Sequence, residues 1–135
     1  MEQPKTANSG ARQRAKLLIY AVDDEPVLLE LAMAVLEPLG YRVRTFRDPE
    51  SALDAFAAEP QPPALVITDY AMHTMNGMEL IDACRKLQPR QKILMVSGTI
   101  DEQIYSHLAV KPDRFLAKPY QAKQLIEAVK ALVPD

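Results

Sequence analysis

The sequence predicts an α/β protein in which five parallel strands alternate with five helices, a (βα)5 arrangement. Short apolar runs such as Leu17 to Val22 and Ala64 to Asp69 alternate along the chain with segments whose apolar residues recur at helical spacing. Strands that alternate with helices form a parallel sheet with helices on both faces, joined by right-handed crossovers. A chain of 135 residues is one domain by its length.

The individual elements follow from local signals. The segment Tyr41 to Phe46 alternates apolar and charged residues, which is typical of a half-exposed edge strand. Helix starts are indicated by Glu25-Pro26 and Asp48-Pro49, and Gly40 lies where a helix cap is expected. The five predicted strands are Leu17 to Val22, Tyr41 to Phe46, Ala64 to Asp69, Lys92 to Val96 and Arg114 to Ala117. The five predicted helices begin at Glu25-Pro26, Asp48-Pro49, Met78, Asp101 and Gln121.

Composition excludes several classes of protein. Apolar residues make up 48% of the chain and charged residues 25%, and a net charge of -2 gives no general reason to expect nucleic acid or an anionic membrane as a partner. Residues 1–15 are polar and basic, so we expect a disordered leader there and one domain over 16–135. The chain has a single cysteine, Cys84, and no signal peptide or apolar run of membrane-spanning length. These features predict a cytoplasmic location.

Polar side chains follow four of the five strands: Asp23 and Asp24, Asp69, Ser97 and Lys118. If the sheet order is 2-1-3-4-5, the first and third strands are neighbours, and their carboxyl ends form the topological switch point where ligands bind. Close carboxylate pairs repel by about 4 kcal/mol at a surface-like dielectric, so three of them require a cation, and such an oxygen set suits Mg²⁺. The remaining groups fit phosphoryl transfer to Asp69, with Lys118 and Ser97 binding phosphoryl oxygens.

At these residues the sequence resembles the receiver domain of bacterial two-component response regulators. The resemblance covers Leu17 to Val133, and it implies a flavodoxin-like fold with strand order 2-1-3-4-5 and Asp69 as the phosphoacceptor. The motifs that carry it are Asp23-Asp24, Asp69, Ser97-Gly98 and Lys118-Pro119, together with Met72, Met75 and Gly77 in the loop after the acceptor.

The resemblance also implies a metal site. Asp24, Asp69 and the backbone carbonyl of Ala71 would bind Mg²⁺, or alternatively Mn²⁺, and Asp23 would contribute through water. Ala71 and Thr99 occupy positions that in this family tune the lifetime of the acyl phosphate.

Further implications concern signalling and the departures from the family pattern. Ser97 would move toward the phosphoryl group together with Phe115, which would swing inward as the switch aromatic. The Lys118-Pro119 bond is often cis in this family. His73 replaces the usual proline and Asn76 replaces a common aspartate, and we expect these changes to alter loop rigidity rather than chemistry.

The expected function is a phosphorylation-activated signalling switch in a two-component system or phosphorelay. A sensor histidine kinase or phosphotransfer protein would phosphorylate Asp69, and the domain would assist only its own phosphorylation and autodephosphorylation, so we do not expect an enzyme in the usual sense. The output would be a contact with a downstream protein through the fourth helix, fifth strand and fifth helix, without DNA or membrane binding. The chain ends at Asp135, which favours either a stand-alone receiver or a fragment of a longer regulator, and receivers of this kind also form homodimers.

Alternative interpretations remain open. The domain could be a degenerate receiver that binds partners without phosphorylation. A phosphatase of the haloacid-dehalogenase type is disfavoured, because Ala71 stands where its second aspartate would be. A nucleotide- or flavin-binding domain is disfavoured by the absence of a Gly-rich phosphate loop. At single residues, Asp23-Asp24 could cap a helix, Ser97-Gly98 could be a loop turn, Lys118 could be a surface residue, Phe115 could be a core residue, and His73 and His107 are more typical of surface positions than of metal ligands.

Overall fold

The computed structural model describes residues 17–72, 74–98 and 111–133. Strands and helices alternate from the first strand to the fourth, as the sequence predicts, and a helix follows the fifth strand. The strands are β1 (Leu18–Val22), β2 (Arg42–Phe46), β3 (Leu65–Asp69), β4 (Ile93–Ser97) and β5 (Arg114–Ala117). The helices are α1 (Pro26–Leu36), followed by a short 3₁₀ turn (Glu37–Leu39), then α2 (Pro49–Ala58), α3 (Gly77–Leu87) and the C-terminal α4 (Ala122–Leu132).

All five strands are parallel and lie in the order β2-β1-β3-β4-β5, which confirms the predicted fold class and strand order. The register aligns their carboxyl ends: Val22 pairs with Thr68, and Asp69 pairs with Val96. The residues that follow β1 and β3 are therefore neighbours at one edge of the sheet, at the switch point.

The core lies on both faces of this sheet because successive side chains of a strand point to opposite faces. Ile19 and Ile67 pack with α1 and α4 on one face, whereas Tyr20 and Val66 pack with α2 and α3 on the other. Every residue of β3 and β4 is buried, as expected for central parallel strands, whereas β2 alternates at the edge.

Helix caps fix the loops at the carboxyl edge of the sheet. Asp48 Oδ1 accepts a hydrogen bond of 2.7 Å from the Ser51 amide, and Pro49 occupies the first turn of α2. Asn76 and Glu79 form a reciprocal capping box at α3, with bonds of 2.9 and 2.8 Å. Asn76 therefore serves as a competent cap although it departs from the family pattern.

Some sequence predictions concern residues outside the described ranges. These are the leader over residues 1–15, the fourth predicted helix from Asp101 to about Leu108, and the individual residues His73, Thr99 and His107. Within the ranges that the structure does describe, no helix combines the length and apolar character needed to cross a membrane.

Candidate functional site

Three carboxylates meet at the carboxyl edge of the sheet. Asp23 and Asp24 directly follow β1, and Asp69 is the last residue of β3. One carboxylate oxygen from each residue lies within 4.8 Å of the other two. Asp23 and Asp69 are buried and Asp24 is half-buried, so the cluster is an inward-facing pocket rather than a solvated acidic surface. The structure therefore brings together the three acids that the sequence predicted.

The ammonium of Lys118 lies among these acids. Its Nζ is 3.2 Å from Asp69 Oδ1, 3.3 Å from Asp23 Oδ2 and 3.1 Å from Glu25 Oε1. The lysine directly follows β5, where its amide donates a 3.0 Å hydrogen bond to the Ser97 carbonyl, and the Lys118-Pro119 peptide bond is cis, as the family resemblance implied. Lys118 is thus a residue of the pocket and not a surface lysine.

Burial and neighbouring charges together shift the pKa values of the groups in the pocket. Burial raises the pKa of the Asp69 carboxyl, and the Lys118 charge offsets only part of this effect. Burial likewise raises the pKa of Asp23 to about 6, although a backbone hydrogen bond from Glu25 opposes the shift. Burial acts to lower the pKa of Lys118, but the hydrogen bond to Glu25 and the charges of Asp23 and Asp69 outweigh it, so this pKa is raised. Lys118 therefore remains a cation in the pocket.

The donor set fits a divalent metal ion. Lys118 contacts three carboxylates, and Asp24 adds a fourth acidic group to the cluster. The single charge of Lys118 offsets only part of the charge of these four carboxylates, and hard oxygen ligands are those that Mg²⁺ prefers. Ala71 is exposed in the loop two residues beyond Asp69, and its carbonyl remains a predicted further ligand.

The loop between β3 and α3 packs tightly under the pocket. The Tyr70 carbonyl accepts a 2.7 Å hydrogen bond from the Gly77 amide, and the Thr68 hydroxyl donates one of 2.9 Å to the Asp69 carbonyl. A Cβ atom at Gly77 would lie 2.5 Å from that same carbonyl oxygen. Glycine at this position therefore allows α3 to begin directly beneath the acceptor strand.

The two predicted switch residues lie on adjacent strands. Ser97 is the buried last residue of β4 and pairs in register with Ala117, which directly precedes Lys118. Phe115 is half-buried in β5 and packs against the core face that includes Met95. Ser97 is thus at the edge of the pocket, whereas Phe115 occupies a position consistent with both core packing and a switch.

Two residues that contact or approach the pocket were not predicted. Glu25 was interpreted only as a helix-opening residue, yet its carboxylate pairs with Lys118. Tyr120 lines a small cavity together with Asp23 and Asp69, and burial raises the pKa of its hydroxyl. Their sequence positions could have indicated both, because Glu25 directly follows the acidic pair and Tyr120 follows Lys118-Pro119.

A doubly wound parallel sheet with an acidic, lysine-containing pocket at its switch point defines a ligand-binding α/β domain. A family model described as the response regulator receiver domain matches residues 19–130. The chain therefore belongs to the receiver domain family of two-component response regulators, a family of signal transduction proteins.

Curated relatives agree with this assignment. The nitrogen assimilation regulatory protein NtrX of Azorhizobium caulinodans is 33% identical over 80% of this chain and 24% of its own length. The probable transcriptional regulatory protein TcrX of Mycobacterium tuberculosis is 27% identical over 85% of this chain and 49% of its own length. The chain thus spans half or less of these two relatives. In contrast, it is 28% identical to the response regulator receiver protein CpdR of Brucella abortus over 97% of that protein.

Solved structures agree as well. A CheY-like receiver domain protein of Methanospirillum hungatei superposes with a TM-score of 0.76 and 28% identity, covering 85% of this chain and 91% of that one. The chemotaxis protein CheY4 of Vibrio cholerae gives a TM-score of 0.80 at 24% identity, covering 87% and 98% of the two chains. The second likeness concerns the fold alone.

Proposed function

We propose that this domain is a phosphorylation-activated switch of a two-component system or phosphorelay, with Asp69 as the phosphoacceptor. The observation that carries the proposal is the 3.2 Å contact between Asp69 Oδ1 and Lys118 Nζ inside a buried cluster of carboxylates. This geometry presents a carboxylate nucleophile next to a fixed cation, and both lie at the ligand-binding edge of the sheet.

The proposed reaction transfers a phosphoryl group from a phosphorylated donor to the free carboxylate of Asp69. A carboxylate oxygen of Asp69 forms a bond to phosphorus while the bond from phosphorus to the donor breaks, and the electron pair of that bond leaves with the donor. Lys118 would hold one phosphoryl oxygen by charge, and the Ser97 hydroxyl at the end of β4 would donate a hydrogen bond to another. Hydrolysis of the acyl phosphate by water would return the domain to its starting state, so the chain assists only its own phosphorylation and autodephosphorylation.

Asp24, Asp69 and the Ala71 carbonyl would hold Mg²⁺, with Asp23 acting through water. The bound ion would supply positive charge that offsets repulsion between the carboxylates and the incoming phosphoryl group. Asp23 is well placed for an indirect role, since its Oδ1 already accepts a 2.9 Å hydrogen bond from the Glu25 amide and its Oδ2 contacts Lys118.

The proposed donor is a phosphohistidine on a sensor histidine kinase or a phosphotransfer protein, as the family membership suggests. The phosphoryl group adds a charge of about -1.5 to -2, which would bias Ser97 and Phe115 toward a second arrangement. The output is then a changed contact with a downstream protein in the cytoplasm.

Phosphorylation with acetyl phosphate and Mg²⁺ tests the acceptor. Mass spectrometry of the wild-type protein is expected to show one added phosphoryl group, and Asp69→Asn is expected to abolish it. Asp54→Asn provides a matched control, because Asp54 is exposed on α2. If Asp69→Asn gains the same mass, the assignment of Asp69 is wrong. If the wild-type protein gains none, the phosphorylation-independent binding module becomes the better interpretation.

The metal site has its own test. Calorimetric titration with Mg²⁺ is expected to show binding to the wild-type protein and a large loss of affinity in Asp24→Ala, because the substitution removes a proposed ligand. Asp54→Ala again serves as the control. Unchanged affinity in Asp24→Ala would exclude this residue as a ligand.

A further inference from the structure

The three carboxylate partners of Lys118 are not equivalent. An ammonium has three N–H donors, and in this structure Asp23, Glu25 and Asp69 each lie within 3.3 Å of the nitrogen. The side chains of Asp23 and Asp69 are 9% and 7% exposed, whereas that of Glu25 is 62% exposed. A phosphoryl oxygen that binds Lys118 must therefore replace one of three existing partners.

The side chain of Glu25 has no capping function that would explain its position. Glu25 is the N-cap residue of α1, yet its carboxylate makes no cap hydrogen bond and instead contacts Lys118 at 3.1 Å. The backbone amide of the same residue donates a hydrogen bond to Asp23. Glu25 therefore contacts two residues of the pocket: Asp23 through its main chain and Lys118 through its side chain.

We propose that Glu25 is a positioning residue that holds Lys118 in the unphosphorylated protein and releases it when a phosphoryl oxygen takes its place. This inference rests on the proposed function. Asp69 stays beside Lys118 with the phosphoryl group that it carries, and Asp23 is buried and anchored by the Glu25 amide, so neither side chain is placed to move into solvent. Solvent can replace Lys118 at the exposed Glu25 carboxylate, so this ion pair is the least costly to break.

The ion pair between Glu25 and Lys118 would oppose phosphorylation, because it must break when the phosphoryl group binds Lys118. The unphosphorylated state has an ion pair that the phosphorylated state lacks, and the Glu25 carboxylate would also repel a phosphoryl group bound to Lys118. Loss of the Glu25 charge is therefore expected to favour occupancy of the phosphoryl position. Removing an ion pair that has one exposed partner is expected to change the equilibrium constant for this occupancy by roughly two- to tenfold.

The first test measures binding of beryllium fluoride, an anionic mimic of a phosphoryl group, by calorimetry at saturating Mg²⁺. Glu25→Gln keeps the size of the side chain and is expected to bind the mimic roughly two- to tenfold more tightly than the wild-type protein. Glu30→Gln removes the same charge from an exposed position on α1 and is expected to bind like the wild-type protein.

The second test needs no metal. Acetic anhydride is applied to the metal-free proteins, and acylation of Lys118 is followed by peptide mass spectrometry relative to Lys86, which is 76% exposed on α3. Lys118 is expected to react severalfold faster in Glu25→Gln, because its nitrogen has lost the partner on the solvent side, and at an unchanged rate in Glu30→Gln.

These outcomes separate the two proposals. Equal values for Glu25→Gln and the wild-type protein in either measurement would overturn the role of Glu25, as would an equal change in Glu30→Gln. If the wild-type protein failed to bind the mimic at all, the proposed function would be overturned, and the role of Glu25 with it.

Discussion

Replacement of Gly77 by alanine is expected to strain the acceptor strand itself. A Cβ atom at this position would lie 2.5 Å from the Asp69 carbonyl oxygen and 2.6 Å from Met95 Cε, whereas ordinary contacts begin near 3.4 Å. Met95 is fully buried and the Asp69 carbonyl belongs to the backbone of β3. The carbonyl cannot move away without a shift of the backbone of β3, whereas Met95 Cε ends a flexible side chain that must find other space in a closely packed interior.

The expected cost follows from these overlaps. Extra atoms forced into a packed site typically destabilise a protein by 1–3 kcal/mol, and a clash with backbone lies at the upper end of that range. We therefore expect Gly77→Ala to lower the free energy of unfolding by about 2–3 kcal/mol. The same shift would displace Asp69 from Lys118, so phosphorylation by acetyl phosphate should also slow.

Urea unfolding followed by circular dichroism measures the effect, with Gly98→Ala as the matched control. A Cβ atom at Gly98 would meet Lys118 Cβ at 3.6 Å, which is an ordinary contact. This variant is therefore expected to stay within about 1 kcal/mol of the wild-type protein. The reasoning would be refuted if Gly77→Ala were as stable as Gly98→Ala.

Two further predictions concern titratable groups. The pKa of Asp23 is raised from 3.8 to about 6 in the folded protein, so the unfolded state loses its proton first and stability falls as the pH rises from about 4 to 6. In EDTA at pH 7, Asp23→Asn is therefore expected to be more stable than the wild-type protein by about 1–3 kcal/mol, and the difference should vanish below pH 4 in urea titrations. Burial raises the pKa of the Cys84 thiol to about 11, so iodoacetamide at pH 8 should alkylate it only after unfolding, and rapid labelling of the native protein would contradict its buried position.

Local patterns were sufficient for much of the fold. Asp48 followed by Pro49 predicted the start of α2, and the cap hydrogen bond to Ser51 confirms it. The apolar run before Asp69 predicted a strand, and its apolar character agrees with the burial of every residue of β3. Helix caps and buried strands can be predicted from the sequence because they depend on residues that are close together in the chain.

The sequence predicted most residues of the site but not the contacts between them. The strand ends carrying Asp23, Asp69 and Lys118 could be assigned to one pocket once the strand order was assumed. The contact between Glu25 and Lys118 was not predicted, because the two residues are 93 positions apart and a helix start already explained the presence of Glu25. A sequence pattern does not indicate which of several carboxylates a lysine contacts.

The sequence by itself determined the alternating strands and helices, the apolar strand cores and the polar residues at the ends of four of the five strands. These features depend on local periodicity and on the chemistry of single side chains. The tertiary structure alone decided the electrostatics of the pocket. Separate segments must pack together before Asp23 and Asp69 are buried and before Lys118 contacts its three carboxylates. The same packing brings Gly77 close to the Asp69 carbonyl. Desolvation and distance, which set the pKa values and the ion pairs, exist only after that packing.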